Sequence, residues 1–129
     1  MTSDARTPQL LKGVLPMLML SLLTERESYG YELVTRLQAD GLADMAPGTV
    51  YPVLTRLERE GHITSRLVAS SSGPARKYYL PTTKGAAELT RSRRSWLELT
   101  VTVATTLGRK EPGLDPVRGP RESTLKEPS

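Results

Sequence analysis

The side chains with the most chemical potential lie between residues 47 and 77, and they are donors and cations rather than reactive groups. Thr49, Tyr51, Thr55, Arg56 and Arg59 crowd into one short segment, and Arg76 and Lys77 follow it. Hydroxyl, guanidinium and ammonium groups of this kind hydrogen-bond to phosphates and to base edges. The parts for bond-making chemistry are missing. The chain has one histidine, His62, and no cysteine, and it shows no clustered carboxylates and no phosphate-cradling glycine loop. A lone histidine makes neither a catalytic triad nor a metal site. No catalytic residue, metal ligand or cofactor is therefore expected, and the chain reads as a binding protein rather than an enzyme.

The distribution of charge sharpens that reading. The formal net charge of the 129-residue chain is +4. Residues 46–84 alone carry Arg56, Arg59, Arg66, Arg76, Lys77 and Lys84 against Glu58 and Glu60. Residues 1–45 lean the other way, with six acidic and four basic side chains. The positive excess thus sits in one central segment, as expected of a surface that faces a polyanion. A solvated basic face is the plainer explanation of charge alone, so the elements carrying the cations matter.

Apolar periodicity supplies those elements. Leu10, Leu11, Val14, Leu15, Leu18, Met19, Leu22 and Leu23 recur at three- and four-residue steps, predicting a buried helix with Pro16 in its first turn or at a bend. Ser28 is positioned to cap a second helix ending near Asp40, with Gly41 just beyond, and Tyr29, Leu33 and Leu37 share its inner face. A third helix starts at Pro47, where a missing N–H costs nothing, and stops at Gly61. Its inward stripe is Val50, Leu54 and Leu57, and its outward face holds Gly48, Pro52 and Arg59 flanked by Thr49, Tyr51, Thr55 and Arg56. That outer face is small, hydroxylated and cationic. Two short alternating strands follow, over 62–68 and 76–80, joined by a turn of small residues from Ala69 to Ala75. Tyr78 and Tyr79 alternate, so one of them packs inward.

Thr82 or Thr83 caps a fourth helix to about Leu107, some 37 Å long at ~1.5 Å per residue. Leu89, Trp96, Val103 and Leu107 line one stripe of it, and Ala86, Leu97, Val101 and Ala104 line a neighbouring one. A compact three-helix core does not need that much apolar surface, and a second copy of the chain is the simplest cover for it. Residues 1–9 read as a flexible N-terminus, and the Pro- and Gly-punctuated segment 108–129 as a disordered tail. The apolar run from Val14 to Leu23 is too short to cross a bilayer and no secretory leader is visible, so a cytoplasmic protein is expected.

The run Pro47-Gly48-Thr49-Val50-Tyr51-Pro52-Val53-Leu54-Thr55-Arg56-Leu57-Glu58-Arg59-Glu60-Gly61 resembles the recognition-helix signature of the PadR family of regulators. Gly73-Pro74-Ala75-Arg76-Lys77-Tyr78-Tyr79 resembles that family's wing, and Thr82 with Gly85 the start of its final helix. Gly30-Tyr31-Glu32-Leu33 is similar to its second-helix motif, and Gly13 with Leu15 to its first. The resemblance covers about residues 10–85. Three positions depart from it: Ala46 stands where a capping Ser or Asn is usual, His62 where an apolar residue is usual, and Pro81 at the end of the second wing strand.

The resemblance implies a mainly α (α+β) fold, a winged helix-turn-helix over 10–81 with a long C-terminal dimerisation helix over 82–107. It implies a homodimeric, mostly repressing regulator of the compact subfamily, binding double-stranded DNA at a palindromic operator, in some members released by a small phenolic ligand. The expected DNA contacts are Tyr31, Thr49, Tyr51, Pro52, Arg56, Arg76 and Lys77. For Tyr51 the choice lies between a phosphate contact and packing between helices. For Pro52 it lies between apolar contact with a thymine methyl and a tolerated kink. Trp96 either lines a cavity for a planar aromatic effector or packs in the dimer. The competing reading is a winged-helix protein-interaction module that does not bind DNA.

Overall fold

The computed structural model describes residues 8–109. The expectations for the first seven residues and for most of the 108–129 tail lie outside the described residues. The element order is α1 (Pro8–Glu25), β1 (Ser28–Tyr29), α2 (Gly30–Ala39), α3 (Pro47–Arg59), β2 (Ile63–Ser70), β3 (Gly73–Pro81) and α4 (Thr83–Gly108). The described residues fall into two compact units whose boundary lies inside α4, after Thr90.

The first unit is built around leucine. Leu15, Met19, Leu22 and Leu23 of α1 meet Leu33, Val34 and Leu37 of α2 and Val50, Leu54 and Leu57 of α3 in one buried cluster. Ile63, Tyr79 and Leu89 close it from the sheet and from the start of α4. Pro16 sits well inside α1 rather than in its first turn, so the helix carries a missing backbone donor there.

Helix α2 begins differently from the sequence reading. Ser28 does not cap it: Tyr29 is the N-cap in extended geometry with no side-chain cap bond. Ser28 is instead fully buried in the two-residue strand β1, where its Oγ accepts a 2.9 Å hydrogen bond from Arg36 Nη1. Gly41, with φ at 118°, turns the chain out of α2, a conformation that favours glycine.

The sheet has the order β1-β3-β2, antiparallel throughout. Strand β3 pairs Tyr79 with both Ser28 and Ser65, and Tyr78 with both Tyr29 and Arg66. The hairpin extends further than alternation predicts, because Ala69, Ser70, Gly73, Pro74 and Ala75 belong to strands, with a bulge between Val68 and Ser70. Pro81 ends β3 opposite Ile63 at a strand terminus, where a missing donor is tolerated. Of the two adjacent tyrosines, Tyr79 is the buried one.

Helix α4 starts on a side-chain cap, as Thr82 Oγ1 accepts from the Gly85 N–H at 3.0 Å. The same hydroxyl donates to the Gly61 carbonyl at 2.6 Å, and Lys84 Nζ donates to the Glu60 carbonyl at 2.9 Å. The carbonyls of the two residues just beyond α3 are thereby satisfied by the start of α4. Gly85 is buried against the His62 backbone, and a Cβ there would strike the His62 carbonyl. In the second unit Trp96, Leu97, Leu99, Val101, Val103 and Leu107 are all exposed large apolar side chains. Among the described residues, no helix is long and apolar enough to cross a membrane.

Candidate nucleic-acid interface

The outer surface of α3 follows from its buried stripe. Val50, Leu54 and Leu57 are at most 1% exposed, which fixes the rotation of the helix about its axis. At about 100° per residue, Gly48, Pro52, Thr55 and Arg59 must then face away from the core. All four are exposed. Pro52 carries no N–H to donate to the carbonyl of Gly48, one turn back, so the first turns of α3 are joined less tightly than an ordinary helix. Its N-cap, Ala46, offers no side-chain bond, and only its backbone carbonyl accepts from the Thr49 and Val50 amides.

Thr49 and Arg56 lie on one flank of this strip, toward α1. Arg56 Nε is 3.7 Å from Glu60 Oε2, and both side chains are about half exposed. Such a pair is weak and leaves the guanidinium open to a competing anion. Thr55 Oγ1 donates to the Tyr51 carbonyl at 3.1 Å, so its proton is committed and its lone pairs remain to accept.

The opposite flank is built by α2 and the wing. The Tyr51 ring lies directly against Gly30, the first residue of α2, where any Cβ would enter the ring. Tyr51 therefore packs between helices and is still 43% exposed, so both of the roles read from the sequence are open to it. Tyr31, the next residue along α2, is exposed. Lys77 Nζ lies 3.4 Å from Glu58 Oε1, and Ser65 Oγ donates to Glu58 Oε2 at 3.1 Å. One carboxylate of α3 thus holds both strands of the hairpin. Tyr79 chiefly, and Glu58 after it, raise the Lys77 pKa above its ordinary value.

Arg76 and Lys77 leave opposite faces of the hairpin, as alternation requires. Arg76 stacks 4.5 Å above the Tyr29 ring, which in turn meets Tyr78 edge-on at 5.3 Å. Arg56 and the Lys77 anchor, Glu58, are separated by about 160° around α3. The cations are therefore not gathered on one flank. Arg56 on one side and Lys77, held by Glu58, on the other border a narrow, uncharged ridge of Gly48, Pro52 and Thr55, with Arg59 at its C-terminal end, while Arg76 stays over Tyr29. The sequence showed Glu58 only as a charge and Gly30 only within the second-helix motif, because their packing roles arise only when β3 and α2 are brought against α3. Trp96, 42% exposed, belongs to the second unit. Among the described residues no group of three or more His, Cys, Asp or Glu is placed to hold a metal ion.

Residues 19–91 match the model of the transcriptional regulator PadR-like family. The chain belongs to this family. Its members are regulators of transcription rather than enzymes, and the winged helix-turn-helix read from the sequence is the fold observed. A transcriptional regulator of Mycobacterium tuberculosis is 40% identical over 77 residues, covering 58% of this chain and 68% of its own. A PadR-like transcriptional regulator from Bacillus cereus superposes with a TM-score of 0.70 at 42% identity, covering 77% of this chain and 96% of that one. A PadR family regulator from Eggerthella lenta gives a TM-score of 0.72 at 35% identity, with 81% and 90% covered.

Proposed function

We propose that this PadR-like protein is a cytoplasmic homodimer that represses transcription by occupying a palindromic operator. Residues 10–81 read the DNA and residues 82–107 hold the two copies together. The observation that carries the reading is the uncharged ridge of α3 bordered by cations on both flanks. A helix entering the major groove needs a narrow leading face, and it meets a phosphate strand on each side.

In this arrangement Pro52 and Thr49 approach base edges, the ring of Pro52 against a thymine methyl. Arg56 reaches a phosphate or a guanine on one side, Lys77, Tyr31 and Tyr51 reach the backbone on the other, and Arg76 reaches it from the opposite face of the wing. Lys77 exchanges Glu58 for a phosphate, one exposed ion pair for another. The apolar stripe of Trp96, Val103 and Leu107 on α4 supports the dimer, since an exposed stripe this long is otherwise unfavourable. Two-fold symmetry of the protein then requires two-fold symmetry of the site. A small planar aromatic effector stacking on Trp96 would couple the dimer helix to DNA release.

Footprinting on the intergenic DNA beside the gene tests this directly. Two protected half-sites about one helical turn apart are expected. Absence of any protected sequence in low salt would exclude the reading.

A further inference from the structure

A groove of about 680 Å³ runs between α1 and α3 within the first unit. Leu11, Pro16 and Val53 give it apolar walls, and Lys12, Arg56 and Arg59 bring three cations to it. No carboxylate is among its lining residues. Lys12 and Arg59 have no ion-pair partner among the described residues, and Arg56 has only its loose contact with Glu60. A volume of this size suits a small molecule. DNA phosphates alone would use the cations but not the apolar walls. A ligand that satisfies both has an apolar body and a single anionic head.

We propose that the α1–α3 groove binds an amphipathic anion of the long-chain alkyl carboxylate type, and that its occupancy excludes DNA. The second half rests on the DNA-binding reading, because Thr49, Pro52 and Arg56 line the groove and are also proposed DNA contacts. Release would then be direct competition at the reading helix, needing no signal from the C-terminal helix. The head group would take the place of a phosphate at Arg56 while the apolar body covers Pro52.

The probe is dodecanoate at submicellar concentration, titrated into the full chain by calorimetry and followed by amide chemical shifts. Saturable binding is expected, with shifts concentrated at Gly48, Thr49 and Val53. Affinity should fall about fourfold for each methylene removed from the chain. The exposed-residue double variant Lys12→Ser/Arg59→Ser should weaken binding roughly tenfold or more, and so should replacing the acid by 1-dodecanol. Shifts confined to residues 96–107, equal binding of 1-dodecanol, or a change of oligomeric state without saturable binding would overturn the site. A duplex binding assay then separates the two claims. If dodecanoate fills the groove and raises the apparent Kd for a duplex in proportion to its concentration, competition holds. If it fills the groove and duplex affinity is unchanged, competition is wrong. If no duplex binds under any condition while dodecanoate does, the DNA-binding reading fails and the ligand site stands.

Discussion

Arg56 and Lys77 carry formally similar charge but stand in different settings, and their substitutions should read out differently. Among the described residues Arg56 is tied only to Glu60, the C-cap of its helix, at 3.7 Å. If it reaches a guanine, Arg56→Gln should cost about 1–3 kcal/mol on the preferred sequence and much less on random DNA. Lys77→Gln should instead weaken every duplex alike and lower the salt slope by about one. Fluorescence anisotropy on cognate and scrambled duplexes distinguishes the two outcomes. Gly48 offers a third test, because a Cβ there meets nothing within 4 Å. Gly48→Ala should raise thermal stability, by about 0.5–1 kcal/mol, while weakening DNA binding by thickening the leading ridge of α3. The candidate contacts were legible as residues because donors and cations cluster in so short a stretch. Their partners were not, since Glu58 meets Lys77 and Gly30 meets Tyr51 only through tertiary packing.

At the level of helices and strands, the joints decide what holds α3 in place. Its N-terminus is uncapped at Ala46, which already has the extended geometry a capping residue uses. Ala46→Ser should therefore stabilise the fold by about 1 kcal/mol, measured by urea denaturation. Its C-terminus is held by Thr82, Lys84 and the close approach of Gly85 to His62. Gly85→Ala forces backbone apart and should cost roughly 1–3 kcal/mol. The wing has its own anchor. Arg66 Nε donates to Glu27 Oε1 at 3.0 Å and Arg66 Nη2 to Glu27 Oε2, and this holds the Glu27 carboxyl below its ordinary pKa. A lowered carboxylate pKa stabilises the fold above the ordinary carboxylate range, and that contribution fades as pH falls through the lowered value. Glu27→Gln should flatten that acid limb in a stability–pH profile. The three main helices were legible from period and punctuation, while β1 was not. Two residues are too few to show alternation, and Ser28 looks like a cap until Arg36 is seen to claim its hydroxyl.

For the molecule as a whole, the sequence disclosed where charge collects but not how it is arranged. A central basic segment could have been a single patch; instead the rotation of α3 splits it across an uncharged ridge. The exposed apolar side chains of α4 predict association through that helix. Leu97→Glu with Val101→Glu, both on exposed positions, should yield a folded monomer by analytical ultracentrifugation and sharply reduced operator affinity. Binding through phosphates on both flanks also sets the dependence on salt. Six phosphate contacts per dimer correspond to a slope of about −5 in log K against log salt, or roughly a thousandfold loss between 50 and 200 mM. Measuring that slope on the footprinted duplex tests the DNA-binding face most directly. A slope near −5 that becomes shallower with Lys77→Gln is the expected result; a near-flat response, identical in wild type and variant, would contradict it.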